Sequence, residues 1–490
     1  MTAAESLLAN DSERQKAIGQ RTMSKLAWRI IPFLCLLYLF NILDRINIGF
    51  ARTTMQEETS LGLTQKVIDW GFGLFYVGYL VFEVPSNLIL RRVGARLWIA
   101  RIMVSWGLVS TATMWVSGPA SFYLVRILLG IAEAGFFPGI VLYLTCWFPQ
   151  RFRAQAMSWF MIGNTMASIF GNPISGAILE YFHDVGGLKG WQWLFLLEGI
   201  PTILLGCLVP YVLQDKPRDA HWLGDEEKDW LEQELENEAD HRTQTGGSVH
   251  LSAMLDGRIL LLIFLYATVA LGTNGMGAYL PTLVRERFDP AATAIDPTRS
   301  IKSIDLSKVV PSSDVLDNAD AAAVLPEAPT KKTGSSRGLF LIGILSALPH
   351  LSALIAMVVL GRLSDRTKKR SAWLACAALV AAVGWWGAAR TTSPTVALVC
   401  LCLAQAGMMT ILPIFWTIPP MFLGGNAAAG GIALINSVAN IGGIFSATLL
   451  GQFGPMAMCL IMVFGVPMAI LTGLFIERPH RLQTGDGSHS

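Results

Sequence analysis

Charge is what this 490-residue chain has least of. Lys, Arg, Asp and Glu make up 15% of it, against about 25% in an average soluble protein, so a water-facing globule is a poor fit. A net charge of +2 gives no electrostatic case for nucleic acid as a partner. The seven cysteines form no CxxC pair and lie in or beside apolar runs, which reads as packing rather than disulfides or metal ligands. No metal cluster, nucleophile elbow or phosphate loop is present, which argues against an enzyme and against any bound cofactor. The first 25 residues are polar and contain no apolar leader, so the first spanning helix has to serve as the insertion signal.

What is present is apolar sequence, 53% of the chain, together with 46 Gly and 15 Trp, both enriched in membrane proteins. Runs of about 20 apolar residues, the length that crosses a bilayer, recur near 30–50, 68–90, 97–117, 121–145, 154–180, 191–213, 258–284, 338–360, 372–390, 394–418, 430–452 and 455–476. They predict an all-α integral membrane protein of twelve transmembrane helices in two six-helix bundles, 30–213 and 258–476, with pseudo-two-fold symmetry. Residues 1–29 and 477–490 read as tails. The 214–257 connection carries Trp230, Leu231 and Leu235 at helical spacing among acids, which predicts a surface helix. The 285–337 segment, rich in Asp, Ala, Pro, Ser and Thr, reads as a flexible external insertion.

Lys and Arg crowd alternate short connections. They include Arg14, Lys16, Arg21, Lys25 and Arg29, then Arg91, Arg92 and Arg96, then Arg151 and Arg153, then Arg362, Arg366 and Lys368 to Arg370. By the positive-inside rule both termini face the cytoplasm and the protein sits in the cell's inner (plasma) membrane.

Inside this apolar background, Asn41-Ile-Leu-Asp44-Arg45-Ile-Asn47 places two adjacent charges within a spanning run. Each costs at least ~2.5 kcal/mol at the centre of a bilayer, and neighbours on a helix do not face each other. Each therefore needs a partner on another helix or a water-filled cavity. At a rise of about 1.5 Å per residue, Asp44 and Arg126 fall at matching depths, about 9 and 8 Å below the outer edge of the hydrocarbon core. Glu133 lies two turns below Arg126 on the same face. This predicts an Asp44–Arg126 pair with Glu133 beneath it, and leaves Arg45 without a matching acid.

Gly361-Arg-Leu-Ser-Asp365-Arg366-Thr-Lys-Lys-Arg370 resembles the cytoplasmic signature of the major facilitator superfamily. Its first-half counterpart, Asn87 to Arg96, keeps Gly94 and basic residues including Arg92, but Asn87 stands for the first Gly and Arg91 for the acid, for which Glu83 is the expected substitute. In this reading Gly361 allows close helix approach, and Asp365, Arg366 and Arg370 form the gate. The segments Phe40–Ala51, Phe82–Asn87, Gly130–Gly139 with Arg126 before it, Trp147–Pro149 and Ala429–Asn440 together resemble the anion:cation symporter family. That family includes permeases for tartrate, phthalate, hydroxyphenylacetate and galactonate. The resemblance covers nearly the whole chain outside 285–337 and the tails.

The resemblance implies a secondary active transporter importing a small organic carboxylate by proton symport with alternating access, working as a monomer in the lipid bilayer with protons as its only coupling species. It assigns Arg45 to the substrate anion, Asp44 and Glu133 to protons, and Arg126 to control of both. Tyr79, Asn164, His350, Trp416, Thr417, Asn436 and Asn440 are the further expected substrate contacts, and Glu198 is given a structural role. An exporter or drug antiporter is the alternative, on the partial pattern Gly171-Asn-Pro173-Ile-Ser-Gly176, and a transporter-like sensor a weaker one.

Overall fold

The computed structural model describes residues 3–244, 256–288, 338–367, 369–419 and 425–477, and among these the regular structure is helical. The first half holds α1 (Ala3–Met55), α2 (Gln65–Val93), α3 (Ala95–Ala112), α4 (Pro119–Glu133), α5 (Phe136–Trp147), α6 (Gln150–Tyr181) and α7 (Gly190–Val212). α8 (Asp225–Gln244) follows in the connection. The second half holds α9 (Gly257–Phe288), α10 (Leu339–Thr367), α11 (Arg370–Arg390), α12 (Pro394–Phe415), α13 (Gly425–Phe453) and α14 (Pro455–Thr472). Among the described residues eleven stretches are long and apolar enough to cross a membrane, with α4 and α5 counted as one, and α6, 32 residues long, lies at the predicted fifth span.

Two boundaries differ from the sequence reading. The N-terminal 29 residues are no separate tail, because from Ala3 onward they are the start of α1. α9 runs on to Phe288, so the first four residues assigned to the external insertion are helical, and 289–337 lie outside the described residues. Residues 478–490 also lie outside them.

The expected fourth span is broken. α4 stops at Glu133, and Gly135 takes φ +89°, a left-handed conformation that L side chains rarely adopt. The Ala134 carbonyl freed by the break accepts from Ser86 Oγ at 2.7 Å, as an exposed backbone group at membrane depth requires.

Packing repeats between the halves. α3 lies on α7 as α11 lies on α14, α2 on α4 as α10 on α12, and α1 on α6 as α9 on α13. Between the halves α2 meets α13 and α6 meets α10, two contacts that a two-fold rotation exchanges. Glycine makes both seams close. A Cβ on Gly343 would lie 2.5 Å from the Asn172 carbonyl oxygen, and one on Gly73 would lie 2.5 Å from that of Ile444.

At one end of the bundle the halves are also tied by side chains. Arg52 and Asp69 form a buried ion pair. Tyr279 of α9 donates to Asp69 Oδ1 at 2.6 Å, and its ring lies 3.9 Å from the Arg52 guanidinium. Arg285 donates to the Thr53 carbonyl at 2.8 Å and pairs with Glu57 at 2.9 Å. At the opposite end α8 buries Trp230 and Leu231, with Trp230 against Gly19 of α1, and Lys25 reaches Glu227 at 2.7 Å.

Candidate functional site

Arg45 and Glu133 form the centre of the site. The break after Glu133 ends α4 at the level where α1 carries its two adjacent charges, and the result is an ion pair between Arg45 and Glu133 Oε1. Asn41, one turn before Arg45, donates to the same oxygen at 2.7 Å. The other oxygen, Oε2, is buried without a partner. Glu133 is fully buried while the Arg45 side chain stays 28% exposed. The guanidinium lies over Tyr79 at 5.2 Å and over Phe75 at 5.7 Å, a cation–π wall that leaves its remaining edge open.

This corrects the predicted pairing. Asp44 does not ion-pair with Arg126. It accepts from Trp106 Nε1, from Ser110 Oγ at 2.5 Å and from Asn47 Nδ2 at 3.1 Å. Arg126 is buried against the Phe75 ring at 5.1 Å and donates to the Gly71 carbonyl at 3.3 Å. Asp44 and Arg126 stay within electrostatic reach of each other. Counting residues along two helices gives depth but not the direction each side chain faces. Trp106 and Ser110 stand four residues apart on one face of α3, and that spacing was the readable sign of a polar face turned inward.

The gating residues are redistributed as well. Glu83 is buried, accepts from Ser437 Oγ across the halves at 3.5 Å, and lies within electrostatic reach of Arg45, so it both joins the halves and borders the site. Arg92 and Arg366 are exposed. A Cβ on Gly361 would meet nothing within 4 Å, so no close helix approach depends on it here. Arg370 donates to the Thr417 carbonyl at 3.3 Å. The side chains of Arg91, Asn164 and Asp365 lie outside the described residues.

In the second half, His350 is buried and meets Gln405 at 3.2 Å, and Gln405 Oε1 has no partner. Trp416 packs edge-on to Tyr266 at 5.1 Å. Thr417 spends its hydroxyl on the Ile414 carbonyl at 2.7 Å, which removes it as a free donor. Asn436 and Asn440 are half-buried on α13. Tyr76 of α2 donates to Asn274 of α9 at 2.8 Å and closes the site between the halves. Gln405 and Asn274 are polar residues in apolar helices, a pattern visible in the sequence.

The model of the major facilitator superfamily matches residues 34–297, more than half of the chain. The chain belongs to this superfamily. A protein of Agrobacterium vitis named for tartrate transport is 39% identical over 91% of this chain and 88% of its own. A quinolone resistance transporter of Acinetobacter baumannii is 33% identical over 92% and 94%. Among solved structures, the inward-open xylose transporter XylE of E. coli superposes with a TM-score of 0.62 at 16% identity, covering 92% of this chain and 96% of that one. This major facilitator protein is therefore a membrane transporter with the twelve-helix fold, and neither its family nor its fold is that of an enzyme.

Proposed function

We propose that this transporter imports a small organic carboxylate by proton symport, with alternating access of a central site between its two halves. One observation carries the reading: a partly exposed arginine, Arg45, is held by a buried glutamate, Glu133, at the centre of the bundle. A guanidinium offers a forked donor set that matches a carboxylate. Glu133 occupies that fork while it is ionised, so a proton on Glu133 and an anion on Arg45 favour each other. Substrate and proton then bind together, which is the requirement of a symporter. The tartrate name of the Agrobacterium relative agrees with the anion chemistry.

The proposal extends to setting. The protein sits in the inner (plasma) membrane as a monomer with both termini cytoplasmic, on the distribution of Lys and Arg. It needs no cofactor beyond the proton. The end tied by Arg52, Asp69, Tyr279 and Arg285 is then the outer one. The test is uptake of labelled L-tartrate and a panel of other carboxylates into proteoliposomes under an imposed pH gradient. Accumulation that follows the pH gradient and ignores a sodium gradient supports the reading. Binding without flux would sink it.

A second reading, drug export, is favoured by the quinolone name of the Acinetobacter relative. It predicts quinolone accumulation in inside-out vesicles with an acidic lumen and no carboxylate uptake.

A further inference from the structure

The break between α4 and α5 has a cause in the sequence. A helix running straight through it would bond the Ala134 carbonyl to the backbone nitrogen four residues on, which belongs to Pro138 and carries no hydrogen. Gly135 turns the chain aside instead, and Pro138 falls in the first turn of α5, where a proline is tolerated. The Ala134 carbonyl is then left at membrane depth, and Ser86 of α2 supplies the missing hydrogen at 2.7 Å. The oxygen of the same hydroxyl accepts from Trp98 Nε1 of α3 at 3.0 Å, so the buried Ser86 side chain is held from two sides. A Cβ on Gly135 would lie 2.1 Å from Ser86 Oγ, so glycine is required there for space as well as for its φ. Glu133 thus stands between two points at which its segment rests on α2, Gly130 against the Phe75 backbone and Ala134 on Ser86.

We propose that Ser86 is a positioning residue for Glu133: its hydroxyl stands in for the N–H that Pro138 lacks, and so holds the α4–α5 joint at the angle that lays the Glu133 carboxylate on Arg45. The side-chain hydrogen bonds of Ser86 go to the Ala134 carbonyl and to Trp98, not to the carboxylate or the guanidinium. It acts on Glu133 through the backbone of the next residue. The joint can change its angle without breaking a helix bond at Ala134, whose carbonyl is already bonded outside the helix. Trp98 lies in the first turn of α3, directly after the α2–α3 connection at Gly94, so the angle is tied to that end of the first half. The charged and titratable groups within electrostatic reach of Glu133 are Tyr38, Asp44 and Arg45 of α1, Tyr76 and Tyr79 of α2, and Arg126 of α4 itself. Ser86 is uncharged, so replacing it alters Glu133 by moving it among these groups. The position of Glu133 is independent of the transport reading, whereas its use in proton coupling rests on that reading.

Infrared spectroscopy of the full-length protein in lipid, without substrate and with ¹³C-carboxyl glutamate, tests this. Subtracting the spectrum of the same protein carrying Glu133→Gln isolates the Glu133 carboxyl, as acid or as carboxylate, from about pH 4 to about pH 9. Ser86→Ala is expected to move its titration midpoint by about half a unit or more, or, where it does not titrate in that range, to shift its band. Ser86→Ala combined with Pro138→Ala gives residue 138 an N–H for the Ala134 carbonyl, and the segment can then close into a straight helix. This double variant is expected to recover the thermal stability lost in Ser86→Ala while the Glu133 signal stays altered, and it carries the test if Ser86→Ala alone does not fold. A Glu133 signal unchanged in Ser86→Ala, whatever its stability, overturns the proposal and leaves Ser86 a structural hydrogen bond. So does a double variant whose signal returns to that of the wild type. Absence of pH-driven uptake by the wild type would remove the symport and leave this result standing.

Discussion

Arg45 and Glu133 are joined through one oxygen. Oε1 of Glu133 takes the guanidinium and the Asn41 amide together, while Oε2 takes nothing. The ion pair is therefore one-sided, and its release requires a change at a single atom.

Glu133→Gln keeps the shape of the site and removes the charge that, in the proposed carboxylate symport, competes with the substrate anion. It is expected to bind L-tartrate, or the strongest binder in a carboxylate panel, at least as tightly as the wild type. It should also lose the gain in affinity on acidification, read by isothermal titration at several pH values. Arg45→Lys replaces a fork with a point charge and should weaken binding about tenfold or more, about 1.4 kcal/mol.

The Arg52–Asp69 pair is buried and spans α1 and α2, with Tyr279 completing it from the other half. Asp69→Asn leaves Arg52 without its counter-charge, a penalty of roughly 3–5 kcal/mol for a buried pair broken on one side. That exceeds what separates two populated conformations of a transporter. Spin labels at Lys66 and Gln452 on a cysteine-free chain should report a longer and broader distance in the variant. An unchanged distribution would refute the role of this pair in holding the end closed.

Backbone contact at Gly130 sets the spacing of α2 and α4. A Cβ there would lie 2.0 Å from the Phe75 carbonyl oxygen and 2.9 Å from the Tyr79 nitrogen, both backbone atoms. Gly130→Ala must push the helices apart and displace the ring wall around Arg45. Thermal unfolding in detergent should show a clear loss of stability and of carboxylate binding. Gly277→Ala, where a Cβ meets nothing within 4 Å, serves as the control and should be near neutral.

The docking of α8 onto α1 should be pH-dependent. Burial works to raise the Glu227 carboxyl, but Lys25, the Gly224 amide and Arg21 outweigh it and hold the group below its ordinary value of 4.5. A depressed acid contributes stability that is present above its unfolded value and lost as pH falls through the folded one. Hydrogen exchange in α8 should therefore be slow at neutral pH and rise below about pH 4.5. Glu227→Gln should show the faster exchange at every pH.

The spans were legible because a bilayer demands long apolar runs and this chain supplies them with little ambiguity. The break at Gly135 was not, since a single positive-φ glycine leaves the apolar pattern of 121–145 unchanged. The cluster of Asp44, Arg45, Arg126 and Glu133 was found because intramembrane charge is rare, and the structure brings the four together. Their pairing was misassigned because depth along a helix says nothing of rotation about its axis. The hydroxyl of Thr417 has a local acceptor, a backbone carbonyl within one turn, which the sequence alone does not reveal.

The glycine seams between the halves set a limit on how this chain can change. Gly73 and Gly343 each bring one bundle onto the backbone of the other at a point where the glycine itself carries no side chain. Such a surface behaves as a bearing: the halves can roll along it with little change in contact. A methyl group added at either point would act as grit in both positions of the cycle. Cargo preference is then free to drift through the side chains around Arg45, while the two seams have to stay bare in every descendant that still turns over.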